Sequence, residues 1–216
     1  MIIGAGGHGR EMASLVVAHN AAGREPHLNV RGFLTHNPED HGKTVNDLPV
    51  LGPERWVLGR KDMLALIAVG DPRVRARLAR ELSAEGVRFA TLIHPSASLS
   101  DRVAVGEGTM VCAGAVITVE VRVGRHVIVN VGASVSHDAV LEDFVTLGPG
   151  VRIPGGVRVS AGAEFGTNSC TIPRVHVGRG AIVGAGAVVV RDVEENCVVV
   201  GVPARMLRKL PEQEWF

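Results

Sequence analysis

The chain has 216 residues, of which 46% are apolar, 21% charged and only 3% aromatic, so a core must be built from Val, Ile, Leu and Ala. Lys+Arg (23) and Asp+Glu (22) leave a formal charge of +1, which supplies no basic field for a nucleic-acid backbone and no acidic tail. Three scattered cysteines, Cys112, Cys170 and Cys197, make neither a disulfide framework nor a CxxC metal site, and no apolar run is long enough to span a membrane. The opening MIIGAGGHGRE has no basic and apolar leader pattern, so the expectation is a cytoplasmic, soluble protein with reduced thiols.

Residues 1–93 alternate between strand and helix signals. Residues 1–3 form a short apolar strand that runs into a glycine turn over 4–9. A helix over 10–19 follows, with Met12, Leu15 and Val16 on one side. Residues 30–34 read as a second strand and the wholly apolar 64–69 as a third, central in a parallel sheet. Asp71 stands where a helix N-cap belongs, with Pro72 at the first helical position; the helix over 73–82 ends at Gly86 and a fourth strand covers 87–93. This alternation predicts a Rossmann-like α/β domain.

From Leu99 the period changes to six. Leu99, Val105, Val111, Ile117, Val123, Val129, Val135, Leu141, Leu147, Ile153, Val159, Phe165, Thr171, Val177, Val183 and Val189 form a series of 16 positions, 14 of them aliphatic. The residue two places earlier is always small or β-branched, and glycine follows at 106, 124, 148, 166, 178 and 184. No α-helix has this period. It predicts an all-β hexapeptide β-helix over 94–216, a three-sided prism of 18-residue coils whose aliphatic residues point inward, the small residues being expected at crowded corners. At roughly 1.5–3 kcal/mol per buried aliphatic side chain, that stack contributes tens of kcal/mol before chain entropy is subtracted.

The hexapeptide run, IIGAGGHGRE at the start, IHPSA at 93–97, NVGASVSHD at 130–138 and VGVPARML at 200–207 together resemble the hexapeptide-repeat sugar acyltransferases of the sialic-acid O-acetyltransferase and nucleotide-amino-sugar N-acetyltransferase type. The resemblance covers nearly the whole chain. It implies a left-handed parallel β-helix, an exception to right-handed crossovers, a homotrimer, acetyl-CoA in the grooves between prisms, and a nucleotide-linked sugar on the N-terminal domain.

Acetyl transfer from a thioester needs a base for the acceptor proton and a donor for the developing oxyanion. His137, in Ser136-His137-Asp138, occupies an outward position of the repeat, so the hexad rule does not place it in the core. The resemblance makes it the catalytic base, with Asp138 raising its basicity; a solvated corner histidine is the alternative. Thr146, Gly155, Thr167 and Ala185 are implied acetyl-CoA contacts, the Gly155 N–H facing the thioester carbonyl, although relatives can carry histidine at the position of Thr146. Asn130 is either near the acetyl group or acceptor, or a turn residue. Gly6 and Gly7, in Gly4-x-Gly6-x-x-Gly9, offer backbone amides to a phosphate, and His8 matches a substrate-contacting histidine. Gly70 and Asp71 match a Gly-Asp/Asn motif, Asp71 being equally readable as an N-cap. Residues 33–36 lack the acidic residue that an NAD site needs. Arg75 reads as solvated; Arg205, Arg208 and Lys209 meet CoA phosphates or form a solvated tail; Cys112 and Cys170 read as inert.

The leading reading is therefore an acetyl-CoA-dependent N-acetyltransferase of a nucleotide-linked amino sugar. O-acetylation of sialic acid or a related sugar and a non-catalytic nucleotide-sugar-binding trimer are its alternatives. A zinc hydratase on the same prism would need converging histidines, which His126, His137 and His176 do not offer by spacing; no metal is expected.

Overall fold

The computed structural model describes residues 1–211; the end of the expected second domain, 212–216, lies outside the described residues. The N-terminal sheet comprises β1 (Ile2–Ile3), β2 (Phe33–Leu34), β3 (Thr44–Val45), β4 (Leu48–Gly52), β5 (Leu64–Ile67) and β6 (Arg88–Phe89), with helices α1 (Gly7–Ala21) and α2 (Pro72–Ala84). The strand order is β3-β4-β2-β1-β5-β6, all pairs parallel except β3–β4. The β3–β4 hairpin escaped the strand pattern because β3 has only two residues and Pro49 interrupts the apolar run of β4. Its turn residues Asn46 and Asp47 both have positive φ (45° and 61°), the conformation of a two-residue hairpin loop.

Two expected elements are corrected. The glycine turn stops at Gly6, and His8 and Gly9 already lie in the first turn of α1. A Cβ on Gly9 would fall 1.9 Å from the Gly4 carbonyl oxygen, so only glycine lets the helix start this close to its own loop. The expected strand over 87–93 is two strands. Arg88–Phe89 pairs with β5, whereas Leu92–Ile93 pairs with Met110–Val111 and is already part of the prism.

The prism is a left-handed parallel β-helix with three sheets. The first face runs from Leu92–Ile93 through Met110–Val111, Ile128–Val129, Thr146–Leu147, Glu164–Phe165 and Ile182–Val183 to Cys197–Val200, against which Arg205–Lys209 lies antiparallel. The second face stacks the strands from Ser98–Leu99 to Val188–Val189 and the third those from Ala104–Val105 to His176–Val177. Partners such as Val111↔Val129, Val135↔Ile153 and Leu141↔Val159 are 18 residues apart, the coil length that the period demanded.

The inward series is buried at 0–7% from Val111 to Val189, and Leu99 at the start of the prism is partly buried. The small residues two places earlier are buried too: Ala115, Ala133, Ala139, Ala163 and Ala181 are all 0% exposed. They belong to the core rather than to outer corners, so each six-residue unit from Thr109 and Val111 onward contributes two buried side chains. Glycine at 106, 124, 148, 166, 178 and 184 has a steric cause, since a Cβ there would come within 2.5–2.7 Å of the next coil.

The corners follow a third register of the repeat. Residues 108, 114, 120, 126, 132, 138, 144, 150, 156, 162, 168, 174, 180 and 186 all have φ between 54° and 74°. From His126 to Gly186 this left-handed residue turns its N–H onto a carbonyl of the preceding coil, as Gly132 does to Ala113 (2.9 Å) and Gly156 to His137 (2.9 Å).

The N-terminal domain covers one end of the first face. There the outward residues Leu92, Met110 and Ile128 are apolar and buried at 0–3%, packed with Met12, Leu15 and Val16 of α1. Elsewhere the outward positions carry Arg122, Arg152 and Arg158, which are exposed.

Candidate active site

His137 and Asp138 lie at the corner between the second and third faces, after Ser134–Val135 and before Val140–Leu141. Asp138 is the left-handed corner residue (φ 61°), and its amide donates to the Val119 carbonyl at 3.3 Å. The corner turn therefore sets the carboxylate directly beside the imidazole, with His137 Nδ1 2.8 Å from Asp138 Oδ2. The carboxylate accepts a proton held on Nδ1, which leaves the Nε2 lone pair available as a base. In the single chain the two side chains are 64% and 68% exposed. Gly155 is the equivalent of His137 one coil on. A Cβ there would lie 2.4 Å from His137 Cε1 and 2.5 Å from Nε2, so the imidazole is seated directly on the bare Gly155 backbone.

The other residues expected on the prism separate. Asn130, Thr167 and Ala185 share the neighbouring edge, between the first and second faces, where Gly186 N donates to the Thr167 carbonyl at 2.8 Å. Asn130 Oδ1 accepts from the Val131 amide at 2.7 Å, a corner-turn bond. Thr146 is on neither edge. It stands on the first face at the domain junction, its hydroxyl accepting from Arg75 Nη2 at 2.7 Å and donating to the Gly70 carbonyl at 3.3 Å.

The expected acceptor residues gather at the carboxyl ends of β1 and β5, where the strand order reverses on either side of β1 and where open α/β sheets hold ligands. The two loops touch, since a Cβ on Gly4 would lie 2.7 Å from the Ala68 oxygen. Gly6 and Gly7 are exposed at the start of α1. His8 Nδ1 is 3.1 Å from Glu11 Oε2, while His8 Nε2 is buried without a hydrogen-bond partner, a polar atom that a ligand group can satisfy. Gly70 follows β5. Asp71 is the N-cap of α2, accepting from Arg73 N (2.8 Å) and Val74 N (3.3 Å) and pairing with Arg73 Nη2 (2.9 Å). Burial raises its carboxyl, but the bonds to Arg73 and the helix amides prevail and hold it below the usual carboxylate range.

Arg75 is not solvated. It is 0% exposed, and the helical spacing to Leu78, Ala79 and Leu82, all on the buried side of α2, was the sequence signal for it. Burial pulls its guanidinium down to about 9, so it still carries its charge at neutral pH. Beside it His126, 4% exposed, packs edge-on to Phe89 (4.7 Å) and stacks on Phe144 (5.3 Å); burial, then the Arg75 charge, pull it down to about 4. Cys112 is buried and its thiol is pushed up to about 12, chiefly by burial, which makes it inert. Arg205, Arg208 and Lys209 lie on an exposed strand. Among the described residues no cluster of His, Cys, Asp and Glu is arranged to hold a metal ion, and no helix is long and apolar enough to cross a membrane.

Residues 1–82 match the PglD N-terminal domain family. A histidine-to-asparagine mutant of perosamine N-acetyltransferase from Caulobacter crescentus, solved with CoA and GDP-perosamine, superposes with a TM-score of 0.85 at 34% identity over 96% of both chains. The acetyltransferase domain of PglB from Neisseria gonorrhoeae FA1090, in complex with acetyl coenzyme A, also superposes at 0.85, with 33% identity over 95% of this chain and 97% of that one. The GDP-perosamine N-acetyltransferase of Escherichia coli O157:H7 is 27% identical over 151 residues, 67% of this chain and 68% of that protein.

Proposed function

The chain belongs to the hexapeptide-repeat sugar acetyltransferases, and from that premise we propose that it transfers acetyl from acetyl-CoA to the amine of a nucleotide-linked amino sugar, with His137 as general base. The observation that carries the reading is the His137–Asp138 pair seated on Gly155 at an outward corner of the prism. A corner position exposes the imidazole to two substrates at once, and a core position would not.

Nε2 of His137 takes the proton from the acceptor amine as its nitrogen bonds to the thioester carbonyl carbon. The C–S bond then breaks, and the departing thiolate receives the proton from the imidazolium. Asp138 stabilises the imidazolium while it exists and keeps the ring oriented. The Gly155 amide is the donor for the carbonyl oxygen as charge develops on it. No cysteine is needed as an acyl carrier, in keeping with the raised thiol of Cys112.

The donor fits the edges of the prism. Gly155 leaves bare backbone beside the base, and the exposed Thr167 and Ala185 offer main chain on the neighbouring edge. Those two edges flank the second face, on or beside which Val116, Val119, Val131 and Ile172 are 41–48% exposed. An exposed apolar face of this kind is covered by another copy of the chain in our reading, giving a homotrimer in which acetyl-CoA lies between neighbouring prisms. The acceptor docks on Gly6, Gly7, His8, Gly70 and Asp71, with Asn130 near the reacting end. The product is a building block for surface glycans, made in the cytoplasm.

The test is thiol release from acetyl-CoA across a panel of GDP-, UDP- and CMP-linked sugars. A nucleotide-linked amino sugar is expected to be the substrate. Turnover confined to sugars that lack a free amine would replace N-acetylation by O-acetylation.

A further inference from the structure

Arg75 joins the two domains. Its Nε donates to the His126 carbonyl (2.8 Å), Nη1 to the carbonyls of Val69 (2.7 Å) and Gly70 (2.9 Å), and Nη2 to the Phe144 carbonyl (2.7 Å) and the Thr146 hydroxyl (2.7 Å). Every one of these acceptors is neutral. Two acids, Glu164 and Asp71, act on it only through space. A buried guanidinium held by main-chain dipoles is a poor source of stability, because its desolvation offsets much of what the bonds return. It is a good source of geometry, because the planar fork fixes several acceptors relative to one another.

What it fixes matters. Val69 and Gly70 follow β5, and a Cβ on Gly4, in the neighbouring loop that leads to His8 and its buried, unpartnered Nε2, would lie 3.5 Å from Val69 Cγ2. On the other side His126 and Phe144 are left-handed corner residues of successive coils (φ 54° and 63°), and Thr146 bonds the Gly70 carbonyl as well as Arg75. A bulky residue such as Phe144 is uncommon in that conformation. So Arg75 ties the loop that carries the acceptor site to three rigid points on the prism that carries the base.

We propose that Arg75, acting with the Thr146 hydroxyl, is a positioning residue that sets the acceptor-binding loop after β5 against the prism, so that the acceptor amine reaches the catalytic edge. This rests on the acetyl-transfer reading above. It also gives Thr146 a role toward the acceptor, where the sequence resemblance had placed it on acetyl-CoA.

The experiment compares the wild type with Arg75→Met, Arg75→Lys, Thr146→Val and Thr146→Ser, using acetyl-CoA and the acceptor on which the wild type is active, well below each variant's melting temperature. Arg75→Met and Thr146→Val are expected to lower kcat/KM for the acceptor by roughly 10- to 100-fold. The Kd for acetyl-CoA, measured by calorimetry, is expected to stay within about twofold of the wild type, and Thr146→Ser to restore acceptor kinetics. Should Arg75→Met fail to fold, Thr146→Val carries the test with the arginine in place. Unchanged acceptor kinetics overturn the proposal, as does an equal loss of acetyl-CoA binding, which marks a purely structural arginine. A rise confined to the acetyl-CoA KM in Thr146→Val returns that residue to the donor site and overturns it too. A wild type that turns over no acceptor fails before any variant is compared; it removes the acetyl-transfer reading and this role with it.

Discussion

His137 depends on two neighbours of opposite kinds. Asp138 holds the ring through Nδ1 at 2.8 Å, and Gly155 holds it by having no side chain. The first was legible in the sequence as adjacent residues. The second came only as a glycine matching a family pattern, although the 18-residue coil already sets residue 155 one coil on from residue 137. Gly155→Ala tests the seat directly. Its Cβ must displace an exposed imidazole rather than backbone, so the melting temperature is expected to shift by no more than about 2 °C, while kcat falls roughly 100-fold as the ring leaves its position. An active Gly155→Ala enzyme would show that the contact does not position the base. Arg75 teaches the complementary lesson: it was read as solvated from its charge, although its place in the helical period put it on the buried side of α2. Charge alone is weak guidance when main-chain carbonyls can serve as partners.

At the scale of the element, the six-residue period was visible through its aliphatic members, and the prism with its coil of 18 followed from it. The left-handed corner register was not visible. Eight of its 14 positions are glycine, but Glu120, His126, Asp138, Phe144, Asn168 and Arg174 interrupt the run. The prism thus contains two kinds of glycine, and they predict different costs. Gly186 has φ 67° and open space around its missing Cβ, so Gly186→Ala is expected to cost only the left-handed strain, about 1–2 kcal/mol. A Cβ on Gly166 would meet the Ala185 nitrogen at 2.5 Å, so Gly166→Ala must push coils apart and is expected to cost more. Urea unfolding of the two variants measures the difference; equal costs would contradict the distinction. The single strand expected over 87–93 divides because Leu92 turns onto the prism face beside Met110, a long-range pairing that no local pattern announces.

At the scale of the whole molecule, the junction of the two domains titrates. His126 has a folded value of about 4 against about 6.5 in an unfolded chain. Between those values the unfolded chain holds a proton that the folded one does not. Stability from this site is therefore present above pH 6.5 and lost as pH falls toward 4, by about 3 kcal/mol over the interval. Urea midpoints measured from pH 7 to pH 4.5 are expected to fall less steeply in His126→Asn than in the wild type; parallel curves would contradict a neutral, buried His126. The broad architecture was legible because each half carries its own period. The junction was not, since it is made by Arg75, His126, Phe144 and Thr146, which are distant in sequence and meet only on folding. The central claim is that this junction brings an amino sugar to the imidazole of His137. The most direct measurement is mass spectrometry of the product formed from acetyl-CoA and a nucleotide-linked amino sugar, with wild type and His137→Ala side by side and each product exposed to mild alkali. The account predicts an alkali-stable amide adding one acetyl group, formed at least about 100-fold more slowly by His137→Ala. An alkali-labile ester, or equal rates from the two proteins, would contradict it.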